Sequence, residues 1–128
     1  PNIEYESGEI PFFKQLNHCE LFVWTYNATT YLETLALEFP TIIFWNPKFW
    51  ELRDTEKPYF EKLREVGILH FTPESAAKKI NEISTNLSKW WNDNDVEYAR
   101  NEFCNRYVRT SDNWFIDWRN VLLRYGRD

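Results

Sequence analysis

The stretch Leu21–Trp45, LFVWTYNATTYLETLALEFPTIIFW, sets two apolar runs on either side of a helical pattern. Leu21–Trp24 is almost continuously apolar, as a parallel strand covered on both faces requires. Thr25–Thr30 is polar and reads as a turn. Thr29–Phe39 then carries a stripe at Leu32, Leu35, Ala36 and Phe39, the spacing of one helix face. Pro40 leads into Thr41–Trp45, a second strand rich in β-branched and aromatic residues. Strand, turn, helix and strand make a βαβ unit, and its first turn opens a helix N-terminus, where backbone N–H groups favour anions.

The same alternation continues downstream. Asn46–Thr55 reads as a loop with two aromatics, Phe49 and Trp50. Pro58–Val66 reads as a helix that Gly67 closes from the C′ position, and Ile68–Phe71 as a third strand. Thr72 is placed as N-cap, Pro73 at N1 and Ser75 at N3 of a helix running to about Leu87. Trp90-Trp91-Asn92-Asp93-Asn94 reads as a turn, followed by helices over Asp95–Val108 and Asp112–Tyr125. Upstream, Asn2–Tyr5 is expected to be a short edge strand, broken by Ser7-Gly8, and Ile10–Asn17 a short helix started by Pro11. Strands alternating with helices, without repeats or linkers, imply an α/β fold with a parallel sheet of three to four strands and a C-terminal helical extension, in a single domain over residues 1–128.

Composition narrows the function. The 128 residues are 43% hydrophobic and 19% aromatic, and the formal net charge is −5. That balance gives no electrostatic footprint for nucleic acid or an anionic membrane, and no apolar run is long enough for a transmembrane segment. The chain opens at Pro1 rather than Met, which we read as the boundary of a fragment. Cys19 and Cys104 are expected as reduced, half-buried thiols of a cytoplasmic protein. His18 and His70 stand alone in the sequence, so neither predicts a metal site.

Two polar segments fall at the carboxyl ends of predicted strands, on the rim where open α/β sheets bind ligands. In the first, Asn27, Ala28, Thr29 and Thr30 form the turn, with Asn27 suited to a left-handed conformation and Thr29 or Thr30 to capping the helix. Glu33 follows one turn later, where a carboxylate can accept from a ribose diol. Spacing alone favours the plainer reading, ordinary helix-start chemistry. The second segment, Asn46 to Asp54, offers Asn46, Trp50, Glu51, Arg53 and Asp54. Arg53 suits a phosphate and Glu51 or Asp54 suit sugar hydroxyls, but these charges can equally form surface ion pairs while Phe49 and Trp50 plug the sheet end. Tyr98, Phe103, Tyr107, Trp114, Phe115 and Trp118 recur at helical spacing and are expected to be mainly core, with part of that surface left for docking.

In this order the segments CELFVWTYNATTYLETLALEFPTIIFW, NPKFWELRD and PYFEKLREVGILHFTPESAAKKI resemble the nucleotide-sugar half of GT-B glycosyltransferases. They are most similar to a family of sugar transferases from bacterial surface-carbohydrate loci of O-antigen type, in which the T-Y-N-x-T-T-Y-L-E-T-L-A and F-W-N-P-x-x-W-E-L-R segments recur. The resemblance covers about Leu16 to Trp118. It implies a three-layer Rossmann-like fold and the C-terminal, donor-binding half of a larger chain whose N-terminal domain supplies the catalytic base. The turn at Asn27–Thr30 would receive the diphosphate, Glu33 the ribose, and the loop at Trp50–Asp54 the donor sugar. No cofactor beyond the nucleotide-sugar substrate is implied, and metal is generally not required. One departure is Asn27-Ala28, where many GT-B members have glycine. The rival readings are a non-catalytic α/β interaction module and half of a sugar-nucleotide epimerase-like enzyme.

Overall fold

The computed structural model describes Ile3, Tyr5 and residues 7–109 and 111–125. Three parallel strands, β1 (Phe22–Trp24), β2 (Thr41–Phe44) and β3 (Leu69–His70), lie in the order β1-β2-β3 with β2 central. Phe22 stands opposite Thr41, and Ile43 opposite Leu69. Helix α1 (Phe12–Leu16) precedes β1, α2 (Thr30–Ala36) joins β1 to β2, and α3 (Lys57–Glu65) joins β2 to β3. Helices α4 (Pro73–Ile83), α5 (Leu87–Trp91), α6 (Asn94–Tyr107) and α7 (Trp114–Tyr125) follow. The α/β parallel-sheet expectation therefore holds. The strand expected over Asn2–Tyr5 is absent at Ile3 and Tyr5, and its other two residues lie outside the described ones.

The pleat of β2 sorts the core into two layers, because successive side chains of a strand point to opposite faces. Ile43 and the following Trp45 pack with Tyr31 and Leu35 of α2, Phe60 and Leu63 of α3, and Val96, Ala99 and Phe103 of α6. Ile42 packs on the other side with Ala76 and Ile83 of α4, joined by Phe44 and Ile80. Both faces of β2 are buried, which is why Ile42, Ile43 and Phe44 follow the buried Thr41 without polar alternation.

Local signals set the element ends where the backbone needs them. Thr72 Oγ1 accepts the Ser75 N–H at 3.1 Å and caps α4, with Pro73 at the first position. Gly67 closes α3 at φ 78°, in the left-handed region where a side chain would be strained, and a Cβ there would lie 2.7 Å from the Lys79 side chain. The expected helix to Leu87 ends earlier, at Ile83, and Asn86 starts a new one by accepting the Lys89 N–H. Trp90 and Trp91 accordingly lie in a helix and not in a turn. Their indole N–H groups donate to the carbonyls of Val66 at 3.0 Å and Glu38 at 2.7 Å.

His70 is not solitary once folded. Its Nε2 lies 3.0 Å from the Gly67 carbonyl, which can only accept, so Nε2 carries the proton and Nδ1 accepts from the Ser75 hydroxyl at 2.8 Å. Burial lowers its pKa from the ordinary value, with Lys79 adding to the shift. The folded state thus binds the proton more weakly than the unfolded chain. Stability should be full above about pH 6.5 and fall as pH drops through and below that value, by at most about 1.4 kcal/mol per pH unit. Urea titrations between pH 5 and 7.5 should show this slope in the native protein and a flatter one in His70→Gln.

Candidate functional site

The carboxyl ends of the three strands carry the turn after β1, the loop after β2 and Phe71–Thr72 after β3. Parallel strands put all three segments on one rim. An aromatic series climbs to it: the Phe22 and Trp24 rings stack at 5.5 Å, Trp24 and Tyr26 lie 4.6 Å apart, and Tyr26 reaches Trp50 of the second loop at 6.2 Å. Tyr26 therefore joins the two polar segments that the sequence placed separately.

In the first turn, Tyr31 donates from its hydroxyl to Asn27 Oδ1 at 3.1 Å. Tyr31 is a core residue whose pKa burial drives upward, so it remains a hydroxyl donor and ties the turn to the core. Asn27 is not left-handed. The one left-handed non-glycine among the described residues is Glu38, φ 53°, at the far end of α2. Thr29 occupies the N-cap position without a side-chain bond to the helix. Among the described residues the Thr29 and Thr30 N–H groups have no protein partner, so donors and hydroxyls remain open side by side. Helix α2 is only seven residues long, and these discrete donors matter more than its dipole. Glu33 is exposed on the same helix.

The second loop behaves differently along its length. Asn46 Oδ1 accepts the Lys48 N–H at 2.9 Å and shapes the loop. Asp54 pairs with Lys57 at 2.6 Å, and that hydrogen bond holds its carboxyl below the usual range. The Arg53 and Glu51 side chains are exposed and form no ion pair among the described residues. The far end of the loop is fastened by Glu56, which accepts from the Tyr107 hydroxyl and lies 3.4 Å from the Arg106 guanidinium. Burial, together with that carboxylate, leaves the Tyr107 hydroxyl pushed up to about 12.

Between this loop, α3 and Phe71 lies a cleft of about 600 Å³. Trp45, Pro47, Trp50, Leu52, Pro58, Phe60 and Phe71 form its walls, with Glu51, Lys57 and Glu61 among them. Of the expected site residues it contains Trp50 and Glu51. Asn27, Ala28 and Thr29 of the turn and Thr30 and Glu33 of α2 lie outside its lining, as do Asn46, Arg53 and Asp54 of the loop. Trp45, Phe71 and Tyr26 lie outside the polar motifs that mark the rim in the sequence. The available signal was their position, since each directly follows a strand or lies two residues beyond one.

The aromatic stripe of the C-terminal helices divides. Phe103 is fully buried and Tyr107 half-buried, but Tyr98, Trp114, Phe115 and Trp118 are all exposed, and α7 has no buried residue. Cys19 is exposed rather than half-buried; Cys104 is half-buried. No helix among the described residues is long and apolar enough to cross a membrane.

Comparison with known proteins places residues 1–122 within a family whose description is LIC12162 family transferase. No curated protein and no solved structure matches the chain.

Proposed function

The chain belongs to the LIC12162 family of transferases, and from that premise we propose that it is the donor-binding domain of a glycosyltransferase that uses a nucleotide-sugar in bacterial surface-polysaccharide synthesis. The observation that carries the reading is the meeting of the two polar rim segments through Tyr26 and Trp50. A nucleotide-sugar is a long ligand with a diol, a diphosphate and a sugar ring, and it needs separate groups for each.

In this reading the open Thr29 and Thr30 N–H groups and hydroxyls take diphosphate oxygens, and Arg53 adds a cation from the neighbouring loop. Glu33 accepts from the ribose diol. The sugar lies toward Trp50 and Glu51. Donors already in place at the diphosphate stabilise the charge that develops as the nucleoside diphosphate leaves, which is electrostatic catalysis of departure. The Ala28 methyl, where many GT-B chains have glycine, narrows the approach of a phosphate to the backbone of the turn. The exposed face of α7 fits contact with an N-terminal domain that supplies the base and acceptor site in a GT-B arrangement.

Calorimetric titration of the full-length protein with UDP and other nucleoside diphosphates tests the proposal. Saturable binding to one of them is expected at or below millimolar concentration. No binding of any of them at that concentration overturns it.

A further inference from the structure

We propose that the cleft beside Trp50 receives a pyranose bearing a methyl group, either a 6-deoxy carbon or the methyl of an N-acetyl group, in preference to a fully hydroxylated hexose. The inference rests on the donor-binding reading and assigns a class of sugar to it.

Three observations converge. First, the cleft walls are chiefly apolar: Leu52, Pro58, Phe60 and Phe71 face one space with Trp50. A hydroxyl buried against such walls without a partner loses its water for nothing, whereas a methyl group gains by burial. Second, two of the three charged groups at the cleft are already engaged. Lys57 pairs with Asp54 and Glu61 with Arg64, which leaves the Glu51 carboxylate as the one lining charge without an ion pair among the described residues. A hexose with a full set of hydroxyls therefore outnumbers its partners. Third, Trp45 is 2% exposed, lines the cleft, and holds an indole N–H with no hydrogen-bond partner among the described residues.

Buried donors without partners are rare in folded proteins. Trp45 is locked in place by Phe60, whose ring meets it edge-on at 5.9 Å, and by Tyr31 at 6.0 Å. It donates only, so its complement is an acceptor oxygen. An N-acetyl group brings a carbonyl oxygen and a methyl together. A 6-deoxy sugar keeps the ring oxygen common to all pyranoses and puts a methyl where the hexose carries its C6 hydroxyl. In both cases a methyl-bearing group replaces one hydroxyl of the hexose, so one fewer hydroxyl needs a partner, and the C–H faces of the ring lie against aromatic faces.

The test follows the indole N–H resonance of Trp45 in the full-length protein, assigned with Trp45→Phe, during titration with methyl glycosides of N-acetylglucosamine, fucose and glucose. The Trp45 resonance should move with at least one of the first two, and that ligand should bind about tenfold more tightly than the glucoside, the cost of burying one hydroxyl without a partner. Phe71→Ser, a change at a partly exposed wall, should erase the preference. Equal or tighter binding of the glucoside, or binding that leaves the Trp45 resonance still, overturns the inference. UDP is titrated in parallel. If UDP binds and no methyl-bearing glycoside moves Trp45, the cleft assignment fails while the donor-binding reading stands. If neither UDP nor any other nucleoside diphosphate binds, that reading fails and the glycoside series still decides the cleft.

Discussion

Phe103→Ala should lower stability by about 3–5 kcal/mol, the usual cost of truncating a fully buried aromatic, and Tm by about 10–20 °C. Phe103 is 0% exposed on α6. Its ring lies 4.6 Å from Tyr107, 5.0 Å from Phe60 and 6.4 Å from Tyr31. Those three belong to separate elements, so the void left by alanine has no single neighbour able to fill it. Two of them also serve the rim, since Tyr31 holds Asn27 and Phe60 walls the cleft. Urea unfolding measures the loss. Phe103→Leu, which keeps most of the volume, should cost less than about 1.5 kcal/mol. A loss below about 1 kcal/mol in the alanine variant would show that α6 is not part of the main core.

Glu33→Gln should weaken nucleotide binding about tenfold to a hundredfold, since hydrogen bonds to an ionised group contribute about 1.5–3 kcal/mol. The variant keeps the shape and removes the charge that two ribose hydroxyls would share. Glu33 is exposed and forms no side-chain hydrogen bond or ion pair among the described residues, so Tm should stay within about one degree of the parent. Binding of inorganic pyrophosphate, which has no ribose, should be unchanged or slightly stronger as repulsion falls. Loss of nucleotide and pyrophosphate binding together would place Glu33 in turn architecture rather than at the ribose.

The sheet was legible because its burial is two-sided. Thr41–Phe44 has no polar alternation to confuse strand with surface, and Pro40 and Gly67 mark chain reversals that few residues tolerate. The Thr72–Ser75 cap was equally local, a bond between residues three apart. The break at Asn86 was not, because apolar residues at Ile80, Ile83, Leu87 and Trp90 continue a helical spacing across it. Trp90 and Trp91 looked like a turn because Asn92–Asn94 follows them, yet their distant acceptors Val66 and Glu38 decide their place. At the site, each segment could be found from its position after a strand, but the contact between Tyr26 and Trp50 depends on how far each loop leans. The cleft is not legible in the sequence for the same reason: Trp45, Phe60 and Phe71 come from three separate segments. The split of the aromatic stripe between a buried Phe103 and an exposed α7 turns on tertiary packing, which periodicity does not contain.

The most direct test is a map of amide and indole chemical shifts in the full-length protein during titration with UDP. The account predicts shifts clustered at Asn27–Glu33 and Asn46–Asp54, joined by Tyr26 and Trp50. Shifts confined to other surfaces, or none at millimolar ligand for UDP and the other nucleoside diphosphates, would contradict it.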